Sequence, residues 1–261
     1  MKICCLQMNM QLGRPRENFL HAEELIRSAM KESPDVLVLP ETWNTGFFPK
    51  ENLTALSDKE GKEVTARIGG LAKEYHVNIV AGSVSNVKNS KVFNTAMVFD
   101  RSGSCIADYD KTHLFSPMGE NDFYSHGDHL CRFELDGVRC GIIICYDLRF
   151  PELTRTLSIE GIDMMFVVSQ WPAARIFHLQ NLVTARAIEN QMFVACCNSC
   201  GKAGDTVFGG RSSIVDPLGK VLAFAEENEE IISACCDVRI LNDIRNTIPV
   251  FRDRRPEIYH I

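Results

Sequence analysis

Cys145 ends an apolar run, Gly141-Ile142-Ile143-Ile144, and is followed at once by Tyr146-Asp147-Leu148-Arg149-Phe150-Pro151-Glu152. The run reads as a buried strand, and the polar residues and Pro151 end it. The thiol is thus carried to a strand end, where ligands bind in open α/β sheets. A free thiol has a pKa of about 8.5 and is mostly protonated at neutral pH. To act as a nucleophile it needs a base and a partner for the charge that develops. Two other strand ends offer both. Val36-Leu37-Val38-Leu39-Pro40 runs into Glu41-Thr42-Trp43-Asn44, and a strand over 104–109 runs into Asp110-Lys111-Thr112-His113. A carboxylate can take the thiol proton and an ammonium can steady an oxyanion. Together with the thiol they suit acyl transfer through a thioester. Blander readings exist for each: a core thiol, a helix-start carboxylate, and a loop lysine paired with Asp108 or Asp110.

The segments LPETWN, DYDKTHLF and CYDLRFPE resemble, in order and spacing, the Glu, Lys and Cys motifs of the nitrilase superfamily of carbon–nitrogen hydrolases. The resemblance runs over nearly the whole chain. It implies Glu41 as general base, Lys111 as oxyanion stabiliser and Cys145 as nucleophile. The backbone N–H of Tyr146 would be a second oxyanion donor. A further family glutamate falls on Glu120 in GENDFYSHG, where the alternative is a surface acid. The resemblance also implies an α/β fold, the four-layer α-β-β-α sandwich, with residues 1–261 as one domain. It implies a C-terminal arm from about 239 to 261 laid across a partner in a homodimer. No metal and no organic cofactor is expected.

Gln170-Trp171-Pro172-Ala173-Ala174-Arg175 follows another apolar strand and is expected to line the same mouth, with Arg175 able to grip a carboxylate in bidentate fashion. With ARAIENQMF further on, this stretch resembles the omega-amidase branch. That resemblance implies hydrolysis of small omega-amides of 2-oxo dicarboxylic acids such as 2-oxoglutaramate, with Tyr146, Trp171 and Arg175 contacting the substrate. Leu179 departs from the branch, which carries Trp after the histidine. Arg186, Glu189 and Asn190 read as a helix brace, and Arg149 as a clamp on the Cys145 loop or a surface ion pair. Rival readings are a deaminated-glutathione or N-carbamoyl amidohydrolase, and a silent binding protein of the same fold. Papain-like chemistry and the nucleophile elbow fit less well. The first uses histidine, and Ile144 and Tyr146 are too bulky for the second. His113 and His178 are therefore not read as the base.

The elements that must position these groups alternate between periods of 2 and 3.6. Strands are expected over 3–8, 35–40, 77–83, 92–99, 104–109, 132–135, 138–145, 163–168, 192–197, 212–215, 221–224 and 231–238. Helices are expected over 15–30, 63–75, 151–160 and 175–190, with 111–127 as a long loop. The tail from 239 shows little regular pattern. Alternation with hairpins implies mixed sheets covered by helices. The net charge of −6 and the lack of a basic stripe argue against nucleic acid. No apolar run approaches the roughly 18 residues that span a membrane, and MKICCLQMNM lacks a signal-peptide pattern, so a cytoplasmic protein is expected. The 11 cysteines read as reduced, mostly buried thiols. The single C-x-x-C at 197–200 lacks the second pair that a zinc site wants.

Overall fold

Every residue of β1 (Lys2–Gln7) after the first is buried, the pattern of a strand covered on both faces. The computed structural model describes residues 1–47 and 49–259. In chain order β1 is followed by α1 (Pro15–Ala29), β2 (Val36–Val38), α2 (Leu53–Leu56), β3 (Asp58–Lys59), α3 (Lys62–Val64), α4 (Gly70–Tyr75), β4 (Asn78–Lys88), β5 (Lys91–Phe99) and β6 (Cys105–Asp110). Then come β7 (Arg132–Leu135), β8 (Val138–Ile144), α5 (Pro151–Ile159), β9 (Met164–Ser169), α6 (Ile176–Asn190) and β10 (Phe193–Asn198). The chain finishes with β11 (Cys200–Ala203), β12 (Thr206–Gly209), β13 (Ser213–Val215), β14 (Val221–Phe224), β15 (Glu230–Cys235) and α7 (Ile240–Thr247).

Two sheets form. One runs β15-β1-β2-β4-β5-β6 with β3 on β4, and the other β14-β13-β10-β9-β8-β7. The central pairs β1/β2, β2/β4, β8/β9 and β9/β10 are parallel, and hairpins extend the edges antiparallel. Alternation sorts each strand's side chains into two layers. Cys5, Val38 and Val80 of the first sheet meet Ile142, Phe166 and Cys197 of the second in one core. Cys4, Leu37 and Ile79 face the other way, onto Phe19 and Ile26 of α1. Ile143, Met165 and Val194 likewise face Leu157 of α5 and Val183 of α6. The result is the expected helix–sheet–sheet–helix stack.

Several local expectations need correction. The helix expected over 63–75 is broken by a π turn at Thr65–Gly69. β4 continues to Lys88, and a β11–β12 hairpin lies where no element was expected. The loop from Lys111 contains short turns at Ser116–Met118 and Glu120–Asp122. The tail holds α7, because Arg245 ties that helix to Asp163 at 2.8 Å and to the Ile162 carbonyl at 3.0 Å. Adjacent cysteines do face opposite ways, but Cys235 on the edge strand β15 is exposed, as is Cys105. Among the described residues no helix is long and apolar enough to cross a membrane, and no group of His, Cys, Asp and Glu is arranged to hold a metal.

Candidate active site

Glu41 follows β2 after Leu39 and Pro40, where the backbone of the neighbouring strand closes in. Gly82 has φ +61, and a Cβ there would lie 2.0 Å from the Pro40 carbonyl oxygen. Only glycine permits that approach. It lets Ser83 N donate to Pro40 O at 3.0 Å, and Thr42 N to Ser83 Oγ at 2.9 Å, which fixes the turn carrying Glu41. The side chain is buried. Its Oε1 accepts from Asn94 Nδ2 (2.9 Å) and Lys111 Nζ (2.8 Å), and its Oε2 from Gln170 N (2.8 Å).

Lys111 leaves the end of β6 and is 2% exposed, far from the solvated loop lysine that composition alone allows. It does not pair with Asp108 or Asp110, which are held by Lys88. Its ammonium reaches Glu41 and both oxygens of Glu120, at 2.9 and 2.8 Å. Glu120, equally buried, also accepts from Phe115 N at 2.6 Å and Asn94 Nδ2 at 3.3 Å. Burial pulls the lysine pKa down, but the two carboxylates outweigh it and hold the value well above the usual range. Two buried carboxylates against one ammonium leave the cluster at net charge −1 when all three are ionised.

Cys145 opens the turn after β8 at φ +47, a left-handed backbone that a non-glycine residue adopts only when its surroundings enforce it. Its thiol interacts with Glu41, Lys111 and Ser169. Burial raises the thiol pKa, Glu41 raises it further, and Lys111 opposes both without cancelling them. The resting sulfur is therefore protonated, with a carboxylate positioned to remove the proton.

Lys111, Glu120 and Cys145 line a pocket with Tyr146, Arg149, Gln170, Trp171 and Arg175, and Glu41 reaches it through its bonds to Lys111 and Gln170. Trp171 is fixed by Asn198 Oδ1, which accepts from its N at 2.7 Å, and by its indole N–H donating to Arg175 O at 2.9 Å. The Arg175 guanidinium lies over the Phe115 ring at 5.1 Å, and Phe115 packs edge-on against Tyr146 at 4.9 Å. Arg149 makes no ion pair among the described residues. It covers the Trp171 ring at 4.7 Å and meets His178 Nδ1 at 3.0 Å. Arg186 pairs with Glu189 at 2.8 Å and donates to Leu148 O at 2.9 Å, bracing the turn after Cys145. Leu179 is buried in the apolar cluster that contains Trp171 and Val183. The seven residues expected to act on or contact the substrate, Glu41, Lys111, Glu120, Cys145, Tyr146, Trp171 and Arg175, lie at this one site. Asn94, the pairing of Gln170 with Glu41, and the pocket walls Phe47, Phe115 and Met118 were not singled out. A polar Asn94 inside the apolar strand β5 is the signal that could have found the first.

The chain matches the carbon–nitrogen hydrolase family over residues 2–246. It is 44% identical over 257 residues to a 2-oxoglutaramate amidase of Bacillus subtilis, covering 98% of each chain. It is 32% identical to the omega-amidase NIT2 of Xenopus tropicalis, over 94% of this chain and 92% of that one. The fold superposes with a TM-score of 0.90 on Saccharomyces cerevisiae Nit3, a member of branch 10 of the nitrilase superfamily, at 28% identity over 98% and 96% of the two chains. A set of buried carboxylates around one lysine, a thiol at a strand end and a match over nearly the full length agree: this chain is a carbon–nitrogen hydrolase of the nitrilase superfamily.

Proposed function

We propose that this hydrolase removes ammonia from the omega-amide of a small 2-oxo dicarboxylic acid such as 2-oxoglutaramate, with Cys145, Glu41 and Lys111 as its catalytic residues. The observation that carries the reading is the buried Glu41–Lys111–Glu120 cluster beside Cys145, in a pocket whose wall carries Arg175. The name of the Bacillus relative, aligned from end to end, supports the substrate. Arg175 has no carboxylate partner among the described residues, so its guanidinium is available to one on the substrate.

Cys145 Sγ attacks the amide carbon as Glu41 takes the thiol proton, which answers the raised pKa of the sulfur. An ammonium has three N–H bonds. All three meet carboxylate oxygens at rest, one on Glu41 and two on Glu120; giving up one Glu120 contact turns an N–H to the oxyanion, shared with the backbone N–H of Tyr146. One such donor lowers the barrier by about 3–4 kcal/mol. Glu41 then returns the proton to the leaving nitrogen, the C–N bond breaks and ammonia departs. Glu41 next activates water, which attacks the thioester, frees the acid and restores the thiol. Glu120 keeps Lys111 charged and aimed. Tyr146, Trp171 and Arg175 hold the substrate. None of these steps calls for a metal or an organic cofactor.

The free thiols support a reducing, cytoplasmic setting. The exposed Ile159 on α5 and the exposed Phe177 and Ile188 on α6 support a homodimer built on these helices; the arm from 239, whose residues 260 and 261 lie outside the described residues, would be added across the partner. Sedimentation velocity of Phe177→Glu tests it: a protein that is monomeric before the substitution rules the dimer out.

Ammonia release from 2-oxoglutaramate, with Cys145→Ala as control, tests the function. Release that vanishes in the control is expected. No release from folded protein, alongside turnover of an N-carbamoyl amino acid or deaminated glutathione, would replace the substrate and keep the chemistry. No turnover of any amide would point to a silent binding protein.

A further inference from the structure

Asp147 is fully buried, two residues past the nucleophile, and no step above uses it. Its Oδ2 accepts from Ile144 N at 3.0 Å and from Tyr109 OH at 2.8 Å. Its Oδ1 accepts from Thr112 Oγ1 at 3.1 Å, His113 N at 2.9 Å and His113 Nδ1 at 2.8 Å. Five donors offset the cost of taking a carboxylate out of water. Their origin is the telling point. Ile144 immediately precedes Cys145, and Tyr109, Thr112 and His113 flank Lys111 on both sides. β6 and β8 belong to different sheets, so one carboxylate clamps the backbone around the thiol to the backbone around the ammonium. His113 stacks on Phe150 at 3.7 Å, and Phe150 meets Tyr146 edge-on at 5.2 Å, which extends the clamp to the residue supplying the oxyanion N–H.

We propose that Asp147 is a positioning residue that sets the distance and direction between the Cys145 sulfur and the Lys111 ammonium, and so holds Cys145 in its left-handed backbone. The proposal rests on the reaction assigned above. Asp147 touches neither substrate nor reacting atoms. A carboxylate is required because both of its ends must accept. An asparagine would turn a donor toward Ile144 N–H or toward His113 N–H.

The test uses the full chain and reads kcat and KM on 2-oxoglutaramate together with the rate of Cys145 alkylation by iodoacetamide, followed by peptide mass spectrometry. In Asp147→Asn, kcat is expected to fall about 100-fold and alkylation about tenfold, with KM within about threefold, as displacement of reacting groups by about 1 Å would give. Tyr109→Phe and Thr112→Val each remove one donor and are expected to lower kcat about five- to tenfold at constant KM. A folded Asp147→Asn protein with the parent's kcat and alkylation rate overturns the proposal, and so does a loss carried by KM alone. If Asp147→Asn does not fold, the two single-donor variants decide: lowered kcat at constant KM supports the clamp, and unchanged kcat overturns it. If the parent releases no ammonia, the amidase reading fails. Alkylation then decides Asp147 alone, with slowing in the variants supporting the clamp and an unchanged rate overturning it.

Discussion

Gln170 grips Glu41 at both ends. Its backbone N–H donates to the Glu41 carboxylate at 2.8 Å, and its side-chain Nε2 donates to the Glu41 carbonyl at 2.7 Å. Gln170 follows β9 of one sheet and Glu41 follows β2 of the other, so these two bonds, both donated by Gln170, set the base against the strand next to the thiol's own. Gln170→Ala frees the Glu41 carbonyl and leaves the carboxylate contact in place. The expected outcome is a kcat lowered about tenfold with KM nearly unchanged, measured by steady-state ammonia release. A parental kcat would show that the carboxylate contact alone is enough.

The two glutamates on Lys111 separate by role. Glu41→Gln removes the group that moves the proton and is expected to lower kcat by about 10²–10⁴-fold. Glu120→Gln keeps the proton route and weakens only the hold on Lys111, so its loss should be smaller. Equal losses in the two variants would contradict the assignment. Lys111→Met leaves two buried carboxylates with no cation and is expected to cost about 3–5 kcal/mol of stability in urea unfolding.

Arg175→Met separates binding from chemistry. Charged hydrogen bonds contribute about 1.5–3 kcal/mol, so KM for 2-oxoglutaramate should rise about 10- to 100-fold. Turnover of a small neutral amide should not change. If both substrates lose equally, Arg175 holds the wall of the pocket rather than a carboxylate.

His21 and Glu229, 2.6 Å apart, join α1 to the start of the last strand. The hydrogen bond to Glu229 raises the His21 pKa. Burial raises the Glu229 pKa, but the His21 contact and the Asn9 N–H prevail and lower it. The pair's contribution is therefore complete between the ordinary carboxylate and imidazole values, about pH 4.3 to 6.5. It is lost as pH rises through the raised His21 value, and as pH falls through the lowered Glu229 value. Melting temperatures of the parent and His21→Gln should differ most near pH 5.5 and converge as pH rises past the raised His21 value. A gap that stays constant with pH would rule out the ion pair as its source.

The strand ends carrying Glu41, Lys111 and Cys145 were legible because a buried strand that stops at a polar residue is a local pattern. Glu120 was readable only from the resemblance, since its loop has no periodicity of its own. Asn94 and the Gln170–Glu41 pair were not legible: they join residues 53 and 129 positions apart, and alternation says that a side chain faces a layer without saying which partner lies across it. The stacking of two sheets escaped periodicity for the same reason. The β11–β12 hairpin was missed because it is short and Gly201 interrupts it. α7 was missed because its support comes from distant Asp163.

The arrangement of the strand ends has a consequence for how activity appears during folding. The base and the lysine ride on one sheet, and the thiol and the Gln170 turn ride on the other. Neither sheet alone holds a working set, so an intermediate with every strand paired but the sheets undocked is silent. Turnover regained after dilution from denaturant therefore clocks the last packing event, later than the recovery of secondary structure.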